Sequence, residues 1–215
     1  MISFGLLSVS NSAAQNFKRF EFLPYAGFSA SGDIPVESEE NVSGDIHVNS
    51  SLHAGAAFYI YLNELDAIGI RWQRQFTDGT LPAAIIEPAP QEESTYFNLN
   101  VDQYHADFVH HFKLKNPEAK PYIMAGLGAT TYYANRAGRS NSASYFSFAL
   151  GGGMKYFFND YFGFRGEARW NPTVLSTSGS SFWCSIGGEG AACIVDLKAT
   201  IQNQLDLTGG IVVRF

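Results

Sequence analysis

The run Ile46-His47-Val48-Asn49-Ser50-Ser51-Leu52-His53-Ala54-Gly55-Ala56-Ala57-Phe58-Tyr59-Ile60-Tyr61-Leu62 decides the reading of this chain. Its even positions are Ile46, Val48, Ser50, Leu52, Ala54, Ala56, Phe58, Ile60 and Leu62; its odd positions are His47, Asn49, Ser51, His53, Gly55, Ala57, Tyr59 and Tyr61. Successive side chains of an extended chain point to opposite faces, so the alternation predicts a strand with one greasy and one polar face. After the turn Asn63-Glu64-Leu65-Asp66 the pattern resumes, with Ile68, Ile70, Trp72 and Phe76 on one side and Gly69, Arg71, Gln73, Gln75 and Thr77 on the other. The pair is a hairpin.

Outward from this hairpin the same period of two recurs in Phe20 to Ala30, Tyr96 to Phe112, Pro121 to Tyr133, Ser144 to Phe157, Tyr161 to Trp170 and Asp196 to Phe215. Eight strands result. In Tyr96 to Phe112 the apolar set changes parity, from Phe97, Leu99 and Val101 to Tyr104, Ala106, Phe108 and Phe112, which predicts a bulge near Asp102. Pro24 in the opening strand removes a backbone donor from the seam with the last strand. Connections alternate: those after the second, fourth and sixth strands are short, and those after the first, third, fifth and seventh are long.

Composition says which face points where. The chain has 215 residues, the length of one domain, with 14 Lys plus Arg, 20 Asp plus Glu and a net charge of −6. Charged residues make up 16% and aromatic residues 15%, against roughly 25% charged in soluble domains. Mean hydropathy is −0.07, and the longest apolar run, Ala54 to Leu62, falls far short of the ~20 residues of a spanning helix. A polar face in water would carry dense Lys and Glu. This one carries Gly, Tyr, Gln, Asn, Thr and Ser with isolated charges, so it faces a packed interior and the greasy face looks outward. Strands of at least ~9 residues, even in number, with long loops at one end and short turns at the other, make an all-β, eight-stranded antiparallel up-and-down transmembrane β-barrel. Outward aromatics gather at both strand ends: Phe22, Phe112, Tyr156, Phe162 and Phe215 near the short turns, and Trp72, Phe76, Tyr133, Phe146 and Trp170 towards the loops.

The closing run Leu207-Thr208-Gly209-Gly210-Ile211-Val212-Val213-Arg214-Phe215, with the stretches Pro121 to Gly128 and Leu150 to Tyr156, resembles the eight-stranded outer-membrane β-barrel proteins of the OmpA and OmpX type. The resemblance runs from Phe20 to Phe215 and implies residence in a bacterial outer membrane. It further implies that Ile211, Val213 and Phe215 form the signal read by the barrel-assembly machinery. Residues 15–215 are expected to be the barrel domain. Residues 1–14, an apolar run ending in Asn11-Ser12-Ala13-Ala14, are expected to be a residual or truncated signal peptide.

Candidate sites follow from parity. Arg71, Arg165, Glu167 and Arg169, with Lys198 and Asp206 on the last strand, face the interior as a lumen charge network, where ionised groups must pair. Glu21 and Arg214 are expected to pair near the short-turn end. His105 and His111 share a face with Asp107, but strand spacing of about 3.3 Å per residue holds them too far apart for a metal cage. Ser50, Ser51 and His53 lack a nearby acid and alternate faces, so no catalytic set emerges. Cys184 and Cys193, both in the last long loop, are expected to form a disulfide in an oxidising periplasm. Asp33, Glu37, Glu39, Glu40, Asp45, Asp78, Glu87, Glu92 and Glu93 fill the first two long loops without a Lys or Arg.

No cofactor fingerprint, phosphate loop or nucleic-acid patch is present. The expectation is a non-enzymatic protein with a structural or surface-interaction role. Its partners are outer-membrane lipids, lipopolysaccharide and an extracellular ligand held by the loops. The alternatives are a narrow, porin-like channel gated by lumen charge pairs, and less favoured, a lipid-modifying enzyme.

Overall fold

In lipid every backbone N–H and C=O must find an internal partner, which a sheet achieves by closing on itself. The computed structural model describes residues 18–32, 34–37, 43–82, 94–136, 139–175, 196–197 and 200–215. In chain order the strands are β1 (Phe20–Ser31), β2 (Ile34–Glu37), β3 (Ser43–Val48), β4 (Ser51–Tyr61), β5 (Asp66–Pro82), β6 (Ser94–His111), β7 (Ala119–Arg136), β8 (Arg139–Phe157), β9 (Phe162–Trp170), β10 (Thr173–Leu175), β11 (Asp196–Leu197), β12 (Thr200–Gln202) and β13 (Gln204–Arg214). Eight of them form the closed wall. β1 pairs with β4, β4 with β5, and so on through β6, β7, β8 and β9 to β13, which pairs back with β1, all antiparallel. The short strands extend the wall at the long-loop end, where β3 pairs with β5 and β10 with β8. No helix occurs among the described residues.

A row of directly paired residues leaving Ser144 on β8 passes Thr131, Asp102, Arg74, Ala54, Ala26, Gly209 and Gly166. It returns to β8 at Met154, ten residues along the strand. That stagger tilts the strands by about 40° and narrows the interior to a space side chains can fill. The seam keeps its register across Pro24, although the pairing is interrupted there. The β1–β13 ladder skips Leu23 and Pro24 and resumes at Tyr25↔Gly210 in the register of Phe22↔Val213.

Three expectations need correction. There is no bulge at Asp102: β6 keeps one register against β5 from Asp66↔His110 to Pro82↔Ser94, and one against β7 from Asn98↔Asn135 to His111↔Tyr122. What changes is the solvent around the strand. On the short-turn side of Tyr104 the outward residues are apolar (Ala106, Phe108) and the inward ones polar (His105, Asp107); beyond Asp102, Asn98 and Asn100 face out while Leu99 and Val101, each 1% exposed, face in. Where β6 leaves the hydrocarbon its outer face becomes polar, and apolar side chains enter the interior beside polar ones such as Gln75, Thr77 and Thr130.

Second, Ile46 to Leu62 is two strands. Between His53↔Gln75 and Val48↔Gly79 the chain advances five residues against four on β5, so the bulge lies at Asn49–Ser50. It turns Val48 inward, where it is 1% exposed. Third, the last segment is broken into β11, β12 and β13, of which only β13 completes the ring.

The outward aromatics Phe22, Phe112, Tyr156, Phe162 and Phe215 at one end, and Trp72, Phe76, Tyr133, Phe146 and Trp170 towards the other, are all exposed on the outer wall. This is the two-girdle pattern of a membrane-spanning barrel. Short turns are locked by their own side chains. Asn63 Oδ1 accepts the Leu65 and Asp66 amides at 2.8 Å each, and Asn159 Oδ1 does the same for Tyr161 and Phe162. Beside the first turn, Lys113 Nζ donates to Glu64 at 2.7 Å, and this bond, followed by the lysine charge, holds the Glu64 carboxyl below its ordinary range.

Candidate functional site: the charged lumen

Inward positions recur on every second residue of each strand, so the sequence stacks its polar side chains inside. Among the described residues the lumen buries four cations, Arg71, Lys155, Arg165 and Arg169, and four acids, Glu21, Asp107, Glu167 and Asp206. Ionised groups withdrawn from water are tolerated only when paired and hydrogen-bonded, and the pairing runs in tiers.

Nearest the short turns, Lys155 Nζ lies 2.5 Å from Glu21 Oε1 and donates to Tyr61 Oη at 3.1 Å, while Tyr61 donates to Glu21 at 2.9 Å. Arg214 Nε stands 3.6 Å from Glu21, and the guanidinium covers the Phe157 ring with its carbon 3.5 Å from the centroid. The rings of Tyr59, Tyr61 and Tyr122 surround the Lys155 ammonium at 5.5 to 5.6 Å, a cation–π cage.

In the next tier Glu167 is shared by two guanidiniums. Arg71 Nη1 donates to its Oε1 at 2.7 Å and Arg165 Nη2 to its Oε2. Tyr122 Oη donates to the same carboxylate at 2.8 Å and accepts from Arg165 Nε at 2.6 Å. Room for this tyrosine comes from Gly153 on the facing strand, where a Cβ would lie 2.6 Å from Tyr122 Oη. Beyond it Arg169 grips Asp107 with two bonds, of 2.9 and 3.0 Å, and donates from Nε to Asn171 at 2.7 Å. Asp206 contacts no cation in the described residues: it accepts from Ser29 (2.6 Å), Gln73 (2.7 Å), Asn171 (2.6 Å) and Gln204 (2.9 Å). Four neutral donors can hold a carboxylate as firmly as one ion pair.

Of the residues singled out from sequence, the structure brings Arg71, Arg165 and Glu167 into one cluster and seats Arg169 and Asp206 in adjoining tiers. Lys198, Cys184 and Cys193 lie outside the described residues, as do residues 1–14. Ile211 and Phe215 are exposed on the outer face, and Val213 pairs with Phe22 and Phe162 across the seam. Sequence reasoning missed Lys155, Asp107 and the tyrosines as partners, although Lys155 sits on the inward parity of Gly151 and Gly153, which was the available signal. The histidines are dispersed. His53 meets Ser29 at 2.8 Å and Thr208 at 3.2 Å, His105 meets Ser147 at 3.0 Å, and His111 meets the Leu65 carbonyl at 2.9 Å. Ser29 binds both His53 and Asp206 but is 0% exposed, so no substrate carbonyl can reach it.

Towards the long loops apolar and aromatic side chains, Val48, Leu99, Val101, Leu175, Tyr132 and Tyr145, are buried among uncharged polar ones such as Gln75, Thr77, Thr130 and Gln202. A charged, hydrogen-bonded stack thus occupies the membrane section, and buried apolar and uncharged polar side chains lie above it.

The sequence profile of the family described as "Outer membrane protein beta-barrel domain" matches residues 2–179. The chain belongs to that family. It is a bacterial outer-membrane protein. Among solved structures this outer-membrane barrel is similar to Neisserial surface protein A, with 13% identity, 91% of this chain and 97% of that chain covered, and a TM-score of 0.58. It is likewise similar to the outer membrane protein OprG from Pseudomonas aeruginosa, with 12% identity, coverage of 90% and 96%, and a TM-score of 0.54. At these identities the likeness shows the fold alone. Comparison with curated proteins gives no match.

Proposed function

We propose that this outer-membrane barrel is a non-enzymatic structural and surface-interaction protein, with a permanently closed lumen and with long loops that meet lipopolysaccharide or an extracellular ligand. One observation carries the reading: every buried charge in the described lumen has a partner, and Leu99, Val101 and Leu175 are buried above them. Opening a path would break at least one buried pair, at about 3 to 5 kcal/mol. The fold is shared with a protein named for its place at the surface, which agrees with this role. The terminal Phe215, with Ile211 and Val213, would serve the assembly machinery, so Phe215→Ala would lower the yield of folded barrel in the membrane.

The channel reading keeps one supporting observation, that Glu167 alone separates two guanidiniums and could exchange between them. Purified protein in a planar bilayer tests both readings across several salt concentrations. The proposal expects a silent membrane. Discrete openings that change amplitude or frequency in Glu167→Gln would refute the closed lumen and establish the channel.

A further inference from the structure

Each buried charge of the lumen has a partner, yet the tiers are not electrically even. In the half towards the short turns four cations, Arg71, Lys155, Arg165 and Arg214, share two acids, Glu21 and Glu167. In the half towards the long loops Arg169 faces Asp107, and Asp206 is held by neutral donors. Even with the histidines neutral, the described stack as a whole carries one positive charge too many, and the excess sits at the short-turn end. At that same end two guanidinium nitrogens are buried without a hydrogen-bond acceptor among the described residues, Arg165 Nη1 and Arg214 Nε.

The bonds already made fix where the unused donor points. Arg165 commits Nε to Tyr122 Oη and Nη2 to Glu167 Oε2, the two nitrogens of one edge of the planar group, so Nη1 is turned to the other edge. The Arg165 side chain is 2% exposed, which keeps bulk water from it. Lys155 is its direct neighbour across the β8–β9 pair. Both cations lie against the Tyr59 and Tyr122 rings, Arg165 at 5.0 and 4.5 Å and Lys155 at 5.5 and 5.6 Å. An ammonium has three N–H groups, and the Lys155 contacts with Glu21 and Tyr61 use two of them among the described residues. Two neighbouring cations thus each keep an unused donor beside the same aromatic rings. A trapped water would satisfy the donors and leave the excess charge in place, and an uncompensated buried charge is costly. An anion answers both needs, and one surplus charge in an enclosed site calls for a small monovalent one. Short turns of such barrels face the periplasm. At that mouth Arg214 and Lys120 both stand over the Phe157 ring, 3.5 and 5.7 Å from its centroid, and make a positive entrance.

We propose that Arg165 Nη1 and the Lys155 ammonium, beside the Tyr59 and Tyr122 rings, bind one small monovalent inorganic anion of the halide class, taken up from the periplasmic end. The site goes beyond the closed-lumen reading, because an anion held here needs no path through the barrel.

The test uses full-length protein with chloride and bromide as probes. Urea unfolding midpoints in phosphatidylcholine vesicles are compared in sodium chloride and in sodium gluconate at equal ionic strength. A ligand that binds only the folded state stabilises it increasingly above its dissociation constant. Chloride should therefore raise the midpoint with concentration, and the bulky gluconate should not. Crystals of the detergent-solubilised protein grown with bromide should show an anomalous peak beside Arg165 Nη1. Arg165→Lys keeps the charge and removes the Nη1 donor, so the chloride needed for the same rise should increase about tenfold, the worth of one charge-assisted hydrogen bond. Should that variant fail to fold, Arg214→Gln removes the surplus charge near the rim without touching a Glu167 bond and should shift the chloride dependence the same way. Equal midpoints in chloride and gluconate overturn the site and leave Arg165 bonded to a trapped water. A bromide peak without a chloride dependence in solution means an adventitious ion only, and overturns it too. A full wild-type chloride dependence in Arg165→Lys and Arg214→Gln overturns the assignment to this tier. Conductance in a planar bilayer bears on the closed lumen alone, so the two readings fail separately.

Discussion

Replacing Asp107 by Leu leaves the Arg169 guanidinium buried without its two carboxylate bonds of 2.9 and 3.0 Å. Both side chains are almost wholly shielded, at 1% and 0% exposure, so water cannot substitute. Removing one partner of such a pair costs about 3 to 5 kcal/mol, and Arg169→Met carries a similar cost because Asp107 keeps only the 3.2 Å bond from Tyr59. Removing both charges together is different. The double variant loses the Tyr59 bond and the Arg169–Asn171 bond, at about 1 kcal/mol each, and strands no charge. The double variant is therefore more stable than either single one, with a coupling energy of at least about 3 kcal/mol. The assay is urea unfolding in phosphatidylcholine vesicles, followed by tryptophan fluorescence and by the mobility shift between folded and unfolded barrel. Additive single effects, with a coupling under about 0.5 kcal/mol, would refute the claim that this pair is a closed electrostatic unit, because they would mean that water or another group reaches the isolated charge.

Gly153→Ala places a methyl against Tyr122 Oη and the Gly166 carbonyl; it should lower stability by about 1 to 3 kcal/mol, and an unchanged melting temperature would show that the tier can shift. Spin labels at Phe58 and Phe164 should be reached by a lipid-soluble relaxing agent, and a label at Asn98 by a water-soluble one; the reverse result would undo the polar outer face of β6 beyond Tyr104. The folded Glu64 carboxyl titrates below its unfolded value because Lys113 binds its charged form, so the link acts above the unfolded carboxyl range and is lost as pH falls through the folded value. Glu64 is fully exposed and solvent screens the link, so Glu64→Gln should flatten this acid-side dependence while leaving the melting temperature at neutral pH unchanged.

The period of two made the membrane section legible, because there lipid outside and charge inside impose opposite chemistries on successive residues. Arg71, Arg165, Glu167 and Arg169 could be placed inside from parity alone. Their partners could not: Arg169 meets Asp107 across the lumen, from strands that are not neighbours in the wall, and the angular position of a side chain in a narrow lumen depends on the ten-residue stagger, which no single strand encodes. The parity change in β6 shows a deeper limit. A shift of apolar residues from one face to the other has two physical causes, an inserted residue or a change of solvent, and both leave the same trace in the chain. At Asn49–Ser50 the cause is an insertion, visible as five residues against four, whereas at Asp102 the register is unbroken and the solvent changes. What separates them is the partner strand. On β5 the outward residue directly opposite Asp102 is Arg74, between Trp72 and Phe76, so two paired strands place charged residues on the outer wall in the same row. A bulge alters one strand only, and a membrane boundary crosses both.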